Sequence, residues 1–257
     1  MKKLFSALFA TLLVASLFFS SFAAAHGVKT PPAQKSYVAL GDSISYGYNL
    51  GPNNDNPSIF AFPYLLGAAA NLKVTNYGVP KMTSGQLLTA LQTDSAYIAS
   101  LQKADYVTLN IGNNDLLGAL SAARAADGSV DPVKLQQALG TIVPAMIVNI
   151  KNSILEIRKY TSAPIAVYNI YNPAQVEDPM HAQFTTLLTT VVNPNIAAVV
   201  NVLAPYNVTL ADAYSAFGEN QKLLVRQNDI HPTILGQAVL ASIGFSALKL
   251  SLPTYGK

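Results

Sequence analysis

The chain has 257 residues, and its 16 Lys and Arg against 13 Asp and Glu give a formal net charge of +3. Its basic residues form no run or patch in the sequence, which excludes nucleic acid as an expected partner. It contains no cysteine, so disulfide bonds and lipid attachment through a cysteine are excluded, and an ordinary hydrophobic core must stabilise the fold.

Residues 1–25 have the pattern of a secretory signal peptide. Two lysines near the start precede an apolar run from Leu4 to Phe22, and Ala23-Ala24-Ala25 follow. This order of charged, apolar and small residues predicts cleavage after Ala25. An uncleaved membrane anchor is the alternative, because the apolar run is fairly long. We therefore expect a secreted, extracellular protein with one domain, residues 26–257, and no stable membrane insertion after cleavage.

The apolar run from Tyr37 to Leu40 predicts a buried strand that ends in Gly41-Asp42-Ser43. A serine at the carboxyl end of such a strand stands where α/β sheets place their chemistry. A serine there can also simply cap the next helix, so this position alone is weak evidence. Residues 49–58 are rich in Gly, Pro, Asn and Asp and predict an irregular loop.

The rest of the chain alternates between predicted strands and helices. Further strands are predicted over residues 73–79, 106–111, 164–169 and 208–211. Helices are predicted over 63–72, from Thr83 or Ser84 through Leu91, and over 131–160, 181–203 and 233–250, with interruptions at Pro144 and around Asn193-Pro194. Because no hairpin signal separates the strands, this alternation favours a mostly parallel sheet covered by helices on both faces.

The three histidines are His26, His181 and His231. The first two are expected to be solvated. His231 precedes the last predicted helix in Asn228-Asp229-Ile230-His231-Pro232, and by itself it is typical of a structural histidine. If Ser43 is a nucleophile, however, His231 supplies the base that a serine hydroxyl needs for acyl transfer.

Three blocks together resemble a known family. Leu40-Gly41-Asp42-Ser43-Ile44-Ser45-Tyr46-Gly47, Gly112-Asn113-Asn114-Asp115 and Asp229-Ile230-His231-Pro232 have the order and spacing of the GDSL, or SGNH, hydrolases. The resemblance covers essentially the whole chain after residue 25. It implies a flavodoxin-like, three-layer α/β/α sandwich with a mostly parallel five-stranded sheet. It also implies a serine esterase or lipase for small-molecule or lipid esters, with no metal and no organic cofactor.

The resemblance also implies residue roles. Ser43 matches the nucleophile, and its own N–H matches one oxyanion donor. In the pattern Gly-x-Asn-Asp, Asn114 rather than Asn113 matches the oxyanion asparagine, whose neutral side chain donates without a proton to lose. Asp115 is expected to support the loop. Without the resemblance, the same residues read as a polar turn.

The block after the second strand departs from the family pattern. Alignment on Asn76 and Gly78 puts Lys81 where the family usually has a glycine that donates its N–H to the oxyanion. A backbone N–H needs no particular side chain, so Lys81 is the expected third donor. Gly78 is the alternative. If the position requires a positive φ, lysine is strained there.

The histidine block also departs from the pattern. The family usually has its aspartate three residues before the histidine, where this chain has Asn228. We expect Asp229, two residues before His231, to act as the triad acid after a one-residue adjustment of the loop. The alternative is a dyad of Ser43 and His231, oriented by Asn228 or by a backbone carbonyl.

These features predict a secreted esterase or lipase that works through an acyl-serine intermediate. The alternatives are a carbohydrate O-deacetylase and a catalytically weakened cell-surface binding module. Segments that follow strand ends are expected to line the pocket, and an apolar lining would suit an acyl chain. These segments are Tyr46, Tyr48, the loop 49–58, Leu116-Leu117 and residues 170–173.

Overall fold

A five-stranded parallel sheet forms the centre of the molecule. The computed structural model describes residues 33–253, so the predicted signal peptide, residues 1–25, and His26 lie outside the described residues. The strand order is β2-β1-β3-β4-β5, and neighbouring strands are parallel throughout. The strands are β1 (Ser36–Gly41), β2 (Lys73–Gly78), β3 (Tyr106–Asn110), β4 (Ile165–Tyr168) and β5 (Val208–Ala211). The predicted sheet is confirmed.

Helices cover both faces of the sheet, which confirms the three-layer fold. They are α1 (Ser43–Tyr46), α2 (Phe62–Ala70), α3 (Ser84–Thr93), α4 (Ser95–Leu101), α5 (Asn113–Ala122), α6 (Pro132–Arg158), α7 (His181–Leu187), α8 (Asn193–Leu203), α9 (Ala213–Phe217), α10 (Gln221–Leu224) and α11 (Ile234–Ala247). The core on one face comes from α3, α4, α6 and α8. The core on the other comes from α1, α2, α9, α10 and α11.

The side chains of strand β1 are buried on both faces of the sheet. Val38 and Leu40 belong to the core on one face, and Tyr37 and Ala39 belong to the core on the other. All four side chains are fully buried. Successive side chains of a strand point to opposite faces, so a strand covered on both faces needs an uninterrupted apolar run. That run is what the sequence shows.

Helix α6 continues through the proline that was expected to kink or break it. The Asp131 side chain accepts hydrogen bonds from the N–H groups of Val133 and Lys134, at 2.9 and 3.1 Å, and Pro132 occupies the first turn. These are typical features of a helix start. Pro144 lies on the exposed side of the helix interior and does not end the helix.

The interruption predicted around Asn193-Pro194 is a widened turn. Helix α7 runs directly into a π-helical turn, Leu188–Val192, and then into α8. The Asn193 N–H donates to the Leu188 carbonyl, five residues back. Pro194 has no N–H to donate, and the wider turn just before it lets the helix continue.

One sequence interpretation was wrong in a way that concerns the site. Gly112-Asn113-Asn114-Asp115 is the start of helix α5, which was not predicted, rather than a turn between elements. Gly112 has a φ of +121°, which favours glycine, and the helix begins at the next residue. Asn and Asp are common both in turns and in the first turn of helices, so the local sequence does not distinguish them.

Two helical stretches of the described chain, Pro132–Arg158 and His181–Tyr206, are long and apolar enough to cross a membrane by length and composition. Core helices pass the same test. Here Met146 and Ile154 of the first stretch and Ile196 and Val200 of the second are buried in the core on one face of the sheet. Some of the apolar side chains of these two stretches are therefore buried against the sheet.

Candidate active site

The site begins where β1 ends. Gly41 is its last residue, Asp42 caps helix α1, and Ser43 is the first residue of that helix. The Asp42 carboxylate accepts the Ile44 N–H at 2.9 Å. A Cβ at Gly41 would lie 2.4 Å from the Asn110 carbonyl oxygen, so only glycine allows this approach of β1 to β3. The packed sheet therefore fixes the position of Ser43.

The structure brings Ser43, His231 and Asp229 together in one hydrogen-bonded chain. His231 Nε2 lies 3.0 Å from Ser43 Oγ, across 188 residues of sequence. His231 Nδ1 lies 2.5 Å from Asp229 Oδ1. Ser43 is 6% exposed and His231 is 9% exposed, so the chain is largely shielded from water. A hydroxyl, a base and an orienting acid in this arrangement have the geometry of an activated nucleophile.

Asp229 has two further partners, neither of which was predicted from the sequence. Its Oδ2 accepts a hydrogen bond from Asn49 Nδ2 at 2.8 Å and lies 3.4 Å from Arg226 Nε. Partial burial raises the pKa of Asp229, but the hydrogen bonds from Asn49 and His231 and the charge of His231 outweigh it. The pKa is held below its ordinary value, so the carboxylate is ionised over the neutral range.

Asn228 is used in a turn and does not face the histidine. Its φ is +56° and its side chain is exposed. The Asp229 N–H donates to the Arg226 carbonyl at 3.3 Å and closes the turn over Asn228. Asparagine tolerates this left-handed conformation better than most residues. Because Asn228 adopts this left-handed conformation, the chain turns just before Asp229. The Asp229 carboxylate therefore reaches His231 although it lies two residues before the histidine and not the usual three.

The loop that carries His231 is held from several sides. The Tyr171 hydroxyl donates to the Ile230 carbonyl at 2.6 Å, and the Arg226 N–H donates to the His231 carbonyl at 2.9 Å. The Tyr48 ring lies over the imidazole, with ring centroids 5.1 Å apart. These contacts restrict the imidazole to the orientation that faces Ser43.

The first turn of α5 contacts the residue beside the nucleophile. Asn113 Nδ2 donates to Asp42 Oδ2 at 2.9 Å. Burial raises the pKa of Asp42 to about 6, against the opposing hydrogen bonds from Asn113 and Ile44. Asn113 therefore stabilises the turn from β1 into α1. Its neighbour Asn114 makes a different contact.

Asn114 and Asp115 bind the segment that follows β2. Asn114 Nδ2 donates to the Met82 carbonyl at 2.9 Å, which uses one of its two N–H groups. The Asp115 carboxylate accepts from the Ser84 N–H at 2.9 Å and from its hydroxyl at 2.6 Å. Asp115 thus has the supporting contacts that the sequence analysis expected. The bond to Met82 brings Asn114 next to Lys81.

Lys81 occupies a strained turn position. The Met82 N–H donates to the Val79 carbonyl at 3.1 Å, and Lys81 has a φ of +67°. A proline at the second position and a positive φ at the third is the pattern of a type II turn, which usually has glycine there. Within residues 33–253, the Lys81 N–H is hydrogen-bonded to no acceptor. It is free to bind a ligand.

Gly78, the alternative donor, has its N–H already engaged. It donates to the side chain of Asn76 at 2.8 Å. A Cβ at Gly78 would also lie 2.4 Å from the backbone nitrogen of Tyr46, so the glycine serves the packing of β2 against α1. This geometry favours Lys81 over Gly78 as the backbone donor.

A cavity of about 130 Å³ lies beside the site, where Asn113, Tyr171 and Ile230 line it. Of the segments that were expected to line it, Leu116, Leu117, Ile170, Tyr171 and Pro173 do so. Tyr46, Tyr48, the loop 49–58 and Asn172 do not. The Asn172 amide instead donates to the His181 carbonyl and to the Thr185 hydroxyl, which anchors the start of α7.

Within the described residues, no group of three or more His, Asp and Glu side chains has the arrangement of a metal site. The acidic residues nearest the nucleophile are instead engaged in the contacts given above. Asp42 accepts from Asn113, and Asp229 binds His231 and Asn49.

Comparison with known proteins places these features in a family. A model of the GDSL-like lipase/acylhydrolase family matches residues 39–239. No curated protein sequence is significantly similar to the chain.

Solved structures of three hydrolases share the fold. A lipase from a goat rumen metagenome is 17% identical, with a TM-score of 0.66 over 83% of this chain and 97% of that one. An extracellular lipase from Streptomyces rimosus is 18% identical, with a TM-score of 0.66 over 83% and 99%. An acetylxylan esterase from Geobacillus stearothermophilus is 18% identical, with a TM-score of 0.60 over 86% and 97%.

Replacing Lys81 by glycine should stabilise the fold by up to about 1 kcal/mol, because lysine at a φ of +67° carries strain of that order. Ester hydrolysis should be retained, because the backbone N–H remains. Urea unfolding and steady-state kinetics measure the two effects. The matched control is Lys249→Gly, since Lys249 is an exposed lysine with a φ of +53° at the end of α11. A large loss of activity in Lys81→Gly alone would show that the lysine side chain is needed.

Replacing Asp42 by asparagine should change how stability depends on pH. The pKa of Asp42 is about 6 in the folded chain, against an ordinary value of 3.8. The folded state therefore binds more protons between these values, and this group makes the wild type lose stability as the pH rises from 4 to 6. Relative to the variant, the loss between pH 4 and pH 6 should be about 2 kcal/mol, because about 1.4 kcal/mol accompanies each pKa unit and part of the unfolded-state titration lies below pH 4. Urea unfolding of both proteins at pH 4, 5 and 6.5 measures this loss. If the free energies of unfolding of wild type and variant differed by the same amount at each pH, the burial of this charge would be contradicted.

Proposed function

Because the chain belongs to the GDSL-like lipase/acylhydrolase family and is a carboxylic-ester hydrolase, we propose that it cleaves esters through an acyl-serine intermediate on Ser43. The observation that carries the proposal is the hydrogen-bonded chain from Ser43 Oγ through the His231 ring to Asp229. It joins residues from opposite ends of the described chain, and it matches the chemical needs of acyl transfer from an ester.

In the first half of the reaction, His231 Nε2 accepts the hydroxyl proton as Ser43 Oγ attacks the ester carbonyl carbon. The resulting tetrahedral intermediate collapses when the protonated His231 transfers that proton to the leaving alcohol oxygen. The C–O bond to the alcohol breaks and the acyl-serine remains. In the second half, His231 removes a proton from water, the hydroxide attacks the acyl carbon, and the proton returns to Ser43 as the acid leaves.

Three donors serve the oxyanion in this proposal. Within residues 33–253, the N–H groups of Ser43 and Lys81 are bonded to no acceptor, and Asn114 has one amide N–H beyond the one given to Met82. Donors that are fixed before the reaction stabilise the developing charge without reorganising. Removing one such donor typically costs about 10² to 10³ in rate.

Asp229 acts as a positioning residue. Its bond to Nδ1 sets the tautomer in which Nε2 is free to accept the serine proton. The hydrogen bond from Asn49 holds the second carboxylate oxygen, and the lowered pKa of Asp229 keeps the negative charge that stabilises the imidazolium.

We place the enzyme outside the cell, after removal of residues 1–25. Support comes from the signal-peptide pattern of the sequence and from the extracellular lipase of Streptomyces rimosus, whose fold is similar. Protein purified from the culture medium of a secreting host should then begin at His26, as read by N-terminal sequencing. Recovery of the protein only from the membrane would favour the uncleaved anchor.

The acyl-serine proposal predicts that Ser43→Ala loses hydrolysis of p-nitrophenyl esters by about 10⁴-fold or more, because the nucleophile is removed. Wild type should show a burst of p-nitrophenol when deacylation is slow, and a quenched sample should carry the acyl mass on the peptide that contains Ser43. Equal turnover by wild type and Ser43→Ala would overturn the mechanism. Turnover of acetylated polysaccharide alone would favour the carbohydrate O-deacetylase.

The triad proposal predicts different results for two neighbouring residues. Asp229→Ala should lower kcat by about 10⁴-fold, because the imidazole loses its orienting charge. Asn228→Ala should keep kcat within a few-fold but lose about 1 kcal/mol of stability, because alanine is unfavourable at a φ of +56°. Asn228→Gly, the matched control, should keep the kcat and the stability of wild type. A larger loss of kcat in Asn228→Ala than in Asp229→Ala would favour the dyad.

A further inference from the structure

The cavity that Asn113 and Ile230 line adjoins a second, larger groove. The inner cavity is enclosed by α5, α7 and the loop after β4, and it has a volume of about 130 Å³. The outer groove lies between the first half of α6 and the helical stretch from α7 into α8, and its volume is about 890 Å³. Four residues border both spaces: Leu135, Leu139, Gln183 and Leu187. We call this set the waist.

The inner end of this space lies against the catalytic residues. Ile230, which directly precedes His231, lines the inner cavity together with Tyr171, whose hydroxyl binds the Ile230 carbonyl. Asn113, which binds Asp42 beside the nucleophile, also lines it. A group attached to the carbonyl carbon that Ser43 attacks can therefore enter the inner cavity directly.

The lining determines what kind of group fits. Neither space is lined by a Lys, Arg, His, Asp or Glu side chain, and most of the lining is Leu, Ile, Val, Pro, Phe or Met. The polar side chains of the inner cavity are Asn113, Tyr171 and Gln183, and the first two already hydrogen-bond to Asp42 and Ile230. A sugar ring there would leave its hydroxyls without enough hydrogen-bonding partners. A hydrocarbon chain has no polar group to satisfy and gains from leaving water.

The walls also have apolar surface that is still available for burial. No residue of α7 is fully buried, and the leucines of the waist are only partly buried. Leu116 and Leu117 of α5 are also only partly buried beside the inner cavity. These side chains lie in a cleft with open space in front of them, so a chain that fills the cleft would bury them.

From these observations we propose that the two spaces form one channel for the acyl chain of medium-chain and long-chain esters, and that the waist sets how far the chain extends. This inference rests on the proposed function, because attack by Ser43 places the acyl carbonyl at the inner end. Chains that end before the waist use the inner cavity alone. Longer chains pass between Leu139 and Leu187 into the outer groove.

The first test is a series of p-nitrophenyl esters from acetyl to hexadecanoyl, with wild type and Ser43→Ala. Each methylene that enters the channel should raise kcat/KM about fourfold, until the chain reaches the end of the bound region. Ser43-dependent hydrolysis that does not increase beyond acetyl would overturn the channel and leave the proposed function standing. Hydrolysis that is independent of Ser43 would instead overturn the proposed function.

The second test narrows the waist. Leu139→Phe should lower the ratio of kcat/KM for dodecanoyl ester to kcat/KM for butanoyl ester by at least about tenfold, because the longer chain can no longer pass. Leu155→Phe is the matched control, since Leu155 is an exposed leucine on the same helix outside both spaces, and it should keep the wild-type ratio. Circular dichroism checks that both variants fold.

A second variant covers the case in which Leu139→Phe fails to fold. Leu187→Ala widens the waist from the opposite wall and should shift the preferred chain length upward. An unchanged chain-length profile in Leu187→Ala, or the same profile in Leu139→Phe and Leu155→Phe, would overturn the role of the waist.

Discussion

The site depends on one set of hydrogen bonds, made by three consecutive side chains in the first turn of α5. Asn113 holds the residue beside the nucleophile, Asn114 holds the turn after β2, and Asp115 holds the start of α3. The carboxyl ends of β1, β2 and β3 are adjacent in the parallel sheet, but their loops are free to diverge. The first turn of α5 joins them. It fixes Ser43 relative to Lys81 and Asn114, which we propose as the other two oxyanion donors.

This arrangement has a cost in folding free energy. Lys81 and Asn228 both adopt left-handed backbone conformations, as does Asn49, which steadies the triad carboxylate. The buried Asp42 has a raised pKa because its charge is removed from water. The left-handed lysine and the buried carboxyl each disfavour the folded state by an amount of order 1 kcal/mol or more, and the two asparagines do so by less. The tightly packed strands beneath the site offset this cost, and β1 and β4 are buried almost throughout.

The site has a polar side and an apolar side with different origins. The polar groups come from the ends of the strands and from the loop before α11. The apolar walls come from α5, α6 and α7, whose leucines beside the cavity are only partly buried. The ester bond would lie at the boundary between the two. Chemistry and substrate preference can therefore vary separately in this fold, because different elements supply them.

Much of this protein follows from its sequence. The strand positions, their parallel arrangement and the candidate residues Ser43 and His231 were all predicted, because buried strands and short motifs are local patterns. The start of α5 was not, since Asn and Asp favour turns and helix starts alike. The contact of Asn49 with Asp229 spans 180 residues. That contact and the meeting of α5, α6 and α7 around the cavity depend on how distant segments pack, and no local pattern in the sequence specifies such distances.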